Sequence, residues 1–169
     1  AFGVRGEFYP EDFLIPYVAK RIGRPVKWIE DRREHLIATN HAREAECELK
    51  LACDSDGRIL ALRGHAHTDV GAYLRTNGLT PSRNVAQVSP GPYRIPHVLL
   101  RVSAMLTNKT PAGTLRSPGR PECNFVRERL MDVAAARLGL DPAEIRRRNM
   151  IRADEMPYDC GTKSFGVTG

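Results

Sequence analysis

The sequence predicts an α+β fold, a mixed β-sheet built on a hairpin with flanking helices, and three observations predict it. Between Ala45 and Cys53 apolar and charged residues alternate: Ala45, Cys47, Leu49, Leu51 and Cys53 share one face, and Glu46, Glu48 and Lys50 share the other. That is the pattern of a strand with one face in the core and one in water. Asp54-Ser55-Asp56-Gly57 then turns the chain, and a second β-rich run from Arg58 to about Asp69 brings it back as a hairpin. Outside this pair the apolar residues recur at helical spacing, most clearly from Pro121 to Leu138.

The remaining elements follow in order. From Glu11 to Ile22 the apolar residues Phe13, Leu14, Tyr17, Val18 and Ile22 cluster as on one side of a helix, which Gly23-Arg24-Pro25 closes. Val26 to Glu30 alternates as a short strand does. Asp31 is placed to cap a helix over Arg32 to Ala38, with Glu34 at the reciprocal position of a capping box. Val70 to Gly91 carries three glycines, Asn77 and Pro81, so it reads as a long connection with a short helix near Arg83 to Val88. Pro96 ends it, and Val98 to Leu106 is a further β-rich run. The helix from Pro121 is expected to turn Phe125, Val126, Leu130, Val133, Ala134 and Leu138 inward, and Gly139 stops it. Asp141-Pro142-Ala143-Glu144 supplies a cap, a first-turn proline and a capping-box glutamate for a last helix reaching about Met150.

Size and composition narrow the function classes. A chain of 169 residues can bury about 70% of its unfolded surface, enough for one core, so residues 1–169 are expected to form a single domain. The net charge of +6 suits an acidic partner surface or a phosphate-bearing ligand. The 26 basic residues are spread along the chain and aromatics make up only 7%, so the alternation of basic and stacking residues that single-stranded nucleic acid needs is missing. Cys47, Cys53, Cys123 and Cys160 form no zinc-type or iron–sulfur spacing and sit in no recognisable nucleophile setting. No membrane segment is evident, and a cytoplasmic location is expected. His65 and His67 share a strand face and would need a third ligand to hold a metal; the other reading is a solvated or packed pair. Asp54-Ser55-Asp56-Gly57 lacks the downstream ligands of a calcium loop. Arg146-Arg147-Arg148 is either the wet face of a helix or a subunit contact.

The chemistry-bearing stretch is Thr114-Leu115-Arg116-Ser117-Pro118-Gly119-Arg120-Pro121-Glu122, a kinked basic loop running into a helix. Gly119 allows close backbone approach, the prolines stiffen the chain, and the first amides of the helix carry the positive end of its dipole. Arg116 and Arg120 add forked donors for phosphate or an oxygen-rich cofactor. At the other end, Phe2-Gly3-Val4-Arg5-Gly6 is a second glycine-rich turn before a helix, yet neither a phosphate loop nor a dinucleotide fingerprint can be completed there.

Several ordered pieces resemble the molybdenum-binding large subunit of the xanthine dehydrogenase and aldehyde oxidase family, the molybdenum hydroxylases. They are Phe2-Gly3-Val4-Arg5, Tyr9-Pro10-Glu11-Asp12, the run from Gly23 to His35, Thr39-Asn40-His41-Ala42-Arg43, Asp56-Gly57-Arg58-Ile59-Leu60-Ala61-Leu62, Gly71-Ala72-Tyr73, Gly91-Pro92-Tyr93-Arg94-Ile95-Pro96, Thr107-Asn108-Lys109, the Arg116 loop and Arg127-Glu128-Arg129-Leu130-Met131-Asp132. The resemblance spans nearly the whole chain and implies a piece cut from a larger molybdopterin-binding domain, with termini set by the boundaries of the piece. It implies oxidative hydroxylation with oxygen from water, a molybdopterin cofactor in the cytosine dinucleotide form, and [2Fe–2S] and FAD centres on partner subunits or other domains. Phe2 and Gly3 match the family's cofactor-approaching Phe-Gly, and Arg116 matches the arginine that opens its second cofactor loop. No residue is expected to ligate the metal itself, and the family's general-base glutamate is expected outside these residues. By itself the piece is therefore expected neither to hold molybdenum tightly nor to turn over substrate.

Two substrate-pocket positions depart from the purine-oxidising members. Gly6 stands in place of a glutamate and Pro118 in place of a stacking phenylalanine, so two purine contacts are missing. Ser117 and Pro118 follow Arg116 where carbon monoxide dehydrogenases, which the chain resembles elsewhere, carry a metal-holding cysteine in this loop. The resemblance thus leaves a small-molecule substrate, an aldehyde, an aromatic N-heterocycle or another small electrophilic carbon compound, with the aldehyde slightly ahead. The competing class is a non-catalytic scaffold or assembly domain of the same fold.

Overall fold

The computed structural model describes residues 6–162. Its sheet has three strands, β1 (Ala45–Cys53), β2 (Ile59–Gly71) and β3 (His97–Leu106), in the order β1-β2-β3. β1 and β2 form the expected antiparallel hairpin, in which Leu51 faces Leu62 and Glu48 faces His65. β3 lies parallel to β2, so the sheet is mixed, and the connection between them carries a helix, as parallel neighbours require. That helix, Thr80–Gln87, starts three residues before the expected position because Pro81 occupies its first turn, where a missing N–H costs nothing.

Two further helices, Arg120–Leu138 and Pro142–Asn149, join it on one face of the sheet. The larger core holds Ile59, Leu62, Tyr93, Ile95, Met131, Ala134, Ala135 and Ile145, and the smaller holds Ala66, Val85 and Cys123. The inward face of β1 is the one the alternation predicts. The opposite face of the sheet is wet, with cross-strand rows such as Glu48–His65–Arg101 and Lys50–Arg63–Leu99.

Other expectations need correction. Residues 26–30 form no strand: five alternating residues have no ladder to join, and Trp28 and Ile29 are exposed. The Arg120–Leu138 helix buries Cys123, Arg127, Met131, Ala134 and Ala135, a stripe of nearly four-residue steps, whereas Phe125 is 73% exposed. Ala134 is buried as expected, and Leu130 and Leu138 pack against the core from its edge. Helices Pro10–Ile22 and Arg32–Ala38 form as expected, but neither buries a residue; Phe13, Leu14, Tyr17 and Ile22 all face outward. The Asp31 capping box closes as expected, with reciprocal bonds to Glu34 of 2.8 Å each. At the last helix Asp141 accepts from the Ala143 and Glu144 amides, but Glu144 pairs with Arg147 and Arg148 instead of reaching back. Arg146 turns inward to Glu128 and Asp132, so the arginine run is tied up within the chain.

Arg127 is the least expected core residue, 6% exposed. Its guanidinium donates to the Val88 and Ser89 carbonyls at 3.1 and 3.2 Å and to Asn124 at 2.6 Å, and it pairs with Glu128 at 3.2 Å. Tyr93 and Arg146 donate to the same carboxylate, which ties three segments together. Burial pushes the Glu128 carboxyl up, but the bonds from Arg146, Tyr93 and Arg127 outweigh it and hold the group below its ordinary range. Among the described residues no helix is long and apolar enough to cross a membrane.

Candidate functional site

The Arg116 loop leaves the C-terminal end of β3 and is held from three sides. At its start Asp69 gathers the Gly71 amide (2.7 Å), the Thr107 hydroxyl (2.8 Å) and the Lys109 ammonium (3.2 Å). Burial raises the Asp69 carboxyl, yet these donors prevail and lower it from its ordinary value. In the middle, His41 donates to Pro111 O at 3.1 Å and accepts from the Gly113 amide at 2.9 Å. Arg43, left-handed at φ 72°, donates to the Arg116 carbonyl and reaches to 3.7 Å of Glu122, too far for a hydrogen bond.

At the end of the loop Asn84 donates to Pro118 O at 2.9 Å, and Ser117 and Gly119 take left-handed conformations at φ 58° and 76°. A Cβ on Gly119 would lie 2.3 Å from the Pro81 carbonyl oxygen, so both the conformation and the contact require glycine. The 19-residue helix then begins, with Gly119 as its N-cap and no side-chain cap bond. Arg116 is exposed, and its guanidinium makes no hydrogen bond or ion pair among the described residues. The loop thus fixes the Arg116 backbone and presents a free permanent cation beside a helix start, a combination that binds anions.

Of the other expected positions, Gly6 and Pro118 lie among the described residues. Phe2 and Gly3 lie outside the described residues. Gly6 has φ 92°, and its carbonyl accepts from Asn77 Nδ2 at 2.8 Å; a left-handed backbone gives a local reason for glycine at this position. Pro118 is half-buried. Gly6 and Pro118 are tied to opposite ends of one segment, Asn77 to Asn84. Sequence reasoning missed Asn77 and Asn84, whose side chains moor the two loops, and also Glu7 and Asn40. Of these, Asn77-Gly78 carries a signal as a turn dipeptide, and Asn40 lies within one of the resembling motifs.

The alternatives to this loop offer less chemistry. The His65 and His67 rings lie 3.9 Å apart and His65 bonds to Ser103 at 2.8 Å, but among the described residues no group of three or more His, Cys, Asp or Glu is arranged to hold a metal. Burial, and next the Glu122 charge, raises the Cys47 thiol; burial also raises Cys123, so neither is a poised nucleophile. A groove of about 780 Å³ between the Thr80–Gln87 helix and β3 is lined by Leu79, Leu100, Val102 and Ala104 with Arg83 and Gln87.

Comparison with known proteins places the fold. The chain is 43% identical over 161 residues to the 6-hydroxypseudooxynicotine dehydrogenase complex subunit gamma of Paenarthrobacter nicotinovorans, covering 95% of this chain and 20% of that one. It is 36% identical to the carbon monoxide dehydrogenase large chain of Hydrogenophaga pseudoflava over 98% of this chain and 20% of that one. The crystal structure of quinoline 2-oxidoreductase from Pseudomonas putida 86 superposes with a TM-score of 0.87 at 40% identity, covering 94% of this chain and 20% of that one. The chain therefore spans about a fifth of the length of these relatives, which include the gamma subunit of a complex and a large chain. Residues 1–150 match the molybdopterin cofactor-binding domain, and the chain belongs to that family.

Proposed function

We propose that this chain is a single domain within the large subunit of a molybdenum-dependent oxidoreductase. The subunit hydroxylates an aromatic N-heterocycle or an aldehyde with oxygen from water, and passes electrons to iron–sulfur and flavin centres on partner subunits or other domains. The observation that carries this reading is the Arg116 loop, in which a rigidly held backbone offers a free cation next to an uncapped helix start. Among the described residues, buried polar atoms of Asn40 and Glu122, next to the residues that hold or follow this loop, make no hydrogen bond and fit a site built to receive an oxygen- and nitrogen-rich group.

When bound, the molybdenum cofactor supplies the two-electron oxidation. The residues of this chain supply binding and orientation. The Arg116 guanidinium offsets the negative charge of a phosphate-bearing cofactor, which we assign to the cytosine dinucleotide form. Arg43 keeps the Arg116 backbone from swinging, and the resemblance assigns a cofactor-binding role to Phe2 and Gly3, which lie outside the described residues. Gly6 and Pro118 leave the substrate pocket without the glutamate and phenylalanine that favour purines. The relatives named for nicotine and quinoline chemistry move the N-heterocycle ahead of the aldehyde as substrate class.

The test is turnover by the full-length subunit with its partners in ¹⁸O-labelled water, using quinoline-type and aldehyde substrates. We expect label in the hydroxylated heterocycle and faster turnover of heterocycles than of aldehydes. Product oxygen drawn from O₂ would end the molybdenum hydroxylase reading.

A further inference from the structure

Folded chains rarely leave a buried polar atom without a partner. Here five buried side-chain atoms make no hydrogen bond among the described residues: Glu7 Oε2, Glu11 Oε2, Asn40 Oδ1, Asn40 Nδ2 and Glu122 Oε2, the last with only the Arg43 guanidinium at 3.7 Å. They do not scatter. Glu7 and Glu11 flank Tyr9, whose hydroxyl accepts from the Asn40 amide at 3.3 Å. The next residue, His41, exchanges two backbone bonds with Pro111 and Gly113 at the base of the Arg116 loop, and Glu122 follows that loop directly. All five atoms belong to the segments that frame the candidate site.

Asn40 is the most exceptional of them. It is 5% exposed, and both polar atoms of its carboxamide lack a hydrogen bond. Glu7, 6% exposed, at least satisfies one oxygen with the Asn77 amide at 3.2 Å. An aliphatic side chain at such a position would carry no unmet hydrogen-bonding demand. A buried carboxamide with neither atom used is therefore costly to the protein alone and makes sense if a partner arrives.

We propose that Asn40 contacts the cofactor. Its carboxamide sets an acceptor and a donor side by side, the complement of the amide edge, N–H beside C=O, that a pterin ring carries and that the donor–acceptor edge of a cytosine resembles. An uncharged heterocycle edge suits Asn40, and a phosphate suits Arg116, so the two residues divide one ligand between them. This assignment rests on the cofactor-binding reading of the loop.

The test uses the full-length subunit with Asn40→Leu and Asn40→Ala, produced in one host that makes molybdopterin and in one that does not. In the cofactor-free protein the variants are expected to melt at or above the wild-type temperature, since they remove an unpaired amide. In the cofactor-making host, pterin per subunit is expected to fall at least about tenfold, which corresponds to the loss of one good hydrogen-bonded contact. Pterin and releasable CMP are expected to fall together, because they belong to one covalent cofactor. A cofactor-free melting temperature that falls in both variants overturns the proposal, because the amide would then have a structural partner without the cofactor. Unchanged pterin content in the variants overturns it as well. A wild-type subunit that carries no molybdopterin from the capable host would overturn the proposed function itself, a different failure from a loaded wild type with indifferent variants.

Discussion

Gly119 does two jobs that no other residue can combine: it holds a left-handed backbone at φ 76° and lies against the Pro81 carbonyl. Gly119→Ala is expected to destabilise the chain by about 2–4 kcal/mol, from left-handed strain plus overpacking, read as a lower melting temperature; an unchanged one would mean the loop relaxes freely. This glycine, its neighbouring prolines and Arg116 were legible in the sequence because turn chemistry is local. Arg43, Asn77 and Asn84 were not, since what they hold lies tens of residues away in the chain. Asn40 was visible only as part of a resembling motif. Its unpaired carboxamide emerges only when neighbouring segments close over it.

At the scale of elements, helices announced by caps came out close to their expected bounds. Asp31 with Glu34, Asp141 with Pro142, and Gly139 act within one or two turns, so local sequence contains the whole cause. Strand pairing is different. The hairpin was legible because its turn joins the two partners, whereas the parallel placement of β3 depends on a distant strand, and residues 26–30 had strand-like alternation with no partner to meet. Burial of Arg127 escaped notice because charge alone suggests a wet face, while its four-residue spacing with Cys123 and Met131 puts it in the stripe facing the core.

The network around Glu128 ties the Arg120–Leu138 helix to Tyr93 and to the Pro142–Asn149 helix, and it makes docking of these elements depend on pH. The folded state lowers the Glu128 carboxyl below its ordinary value of 4.5, so its contribution is complete above that value and is lost as pH falls through the depressed folded value. Melting temperature should therefore drop between pH 6 and pH 3, and Glu128→Gln should be less stable at pH 6 with a shallower drop. An equally steep drop in Glu128→Gln would place the acid sensitivity elsewhere, with Asp69 the next group to examine.

For the whole molecule, the three sheet-covering helices make a coherent core, while the Pro10–Ile22 and Arg32–Ala38 helices turn Phe13, Tyr17, Leu36 and Ile37 to the outside. Such a surface suits a chain that spans a fifth of its relatives' length. The fold class is readable in the sequence from strand alternation and helical spacing, and the family resemblance from several motifs in a fixed order. The one measurement that tests the central claim most directly is molybdenum per subunit in the full-length protein, wild type against Arg116→Ala, from a host that makes the cofactor. The account predicts near-stoichiometric metal in the wild type and a fall of about tenfold or more in the variant, as expected for losing a charge-assisted contact. Equal metal in the two proteins would contradict it.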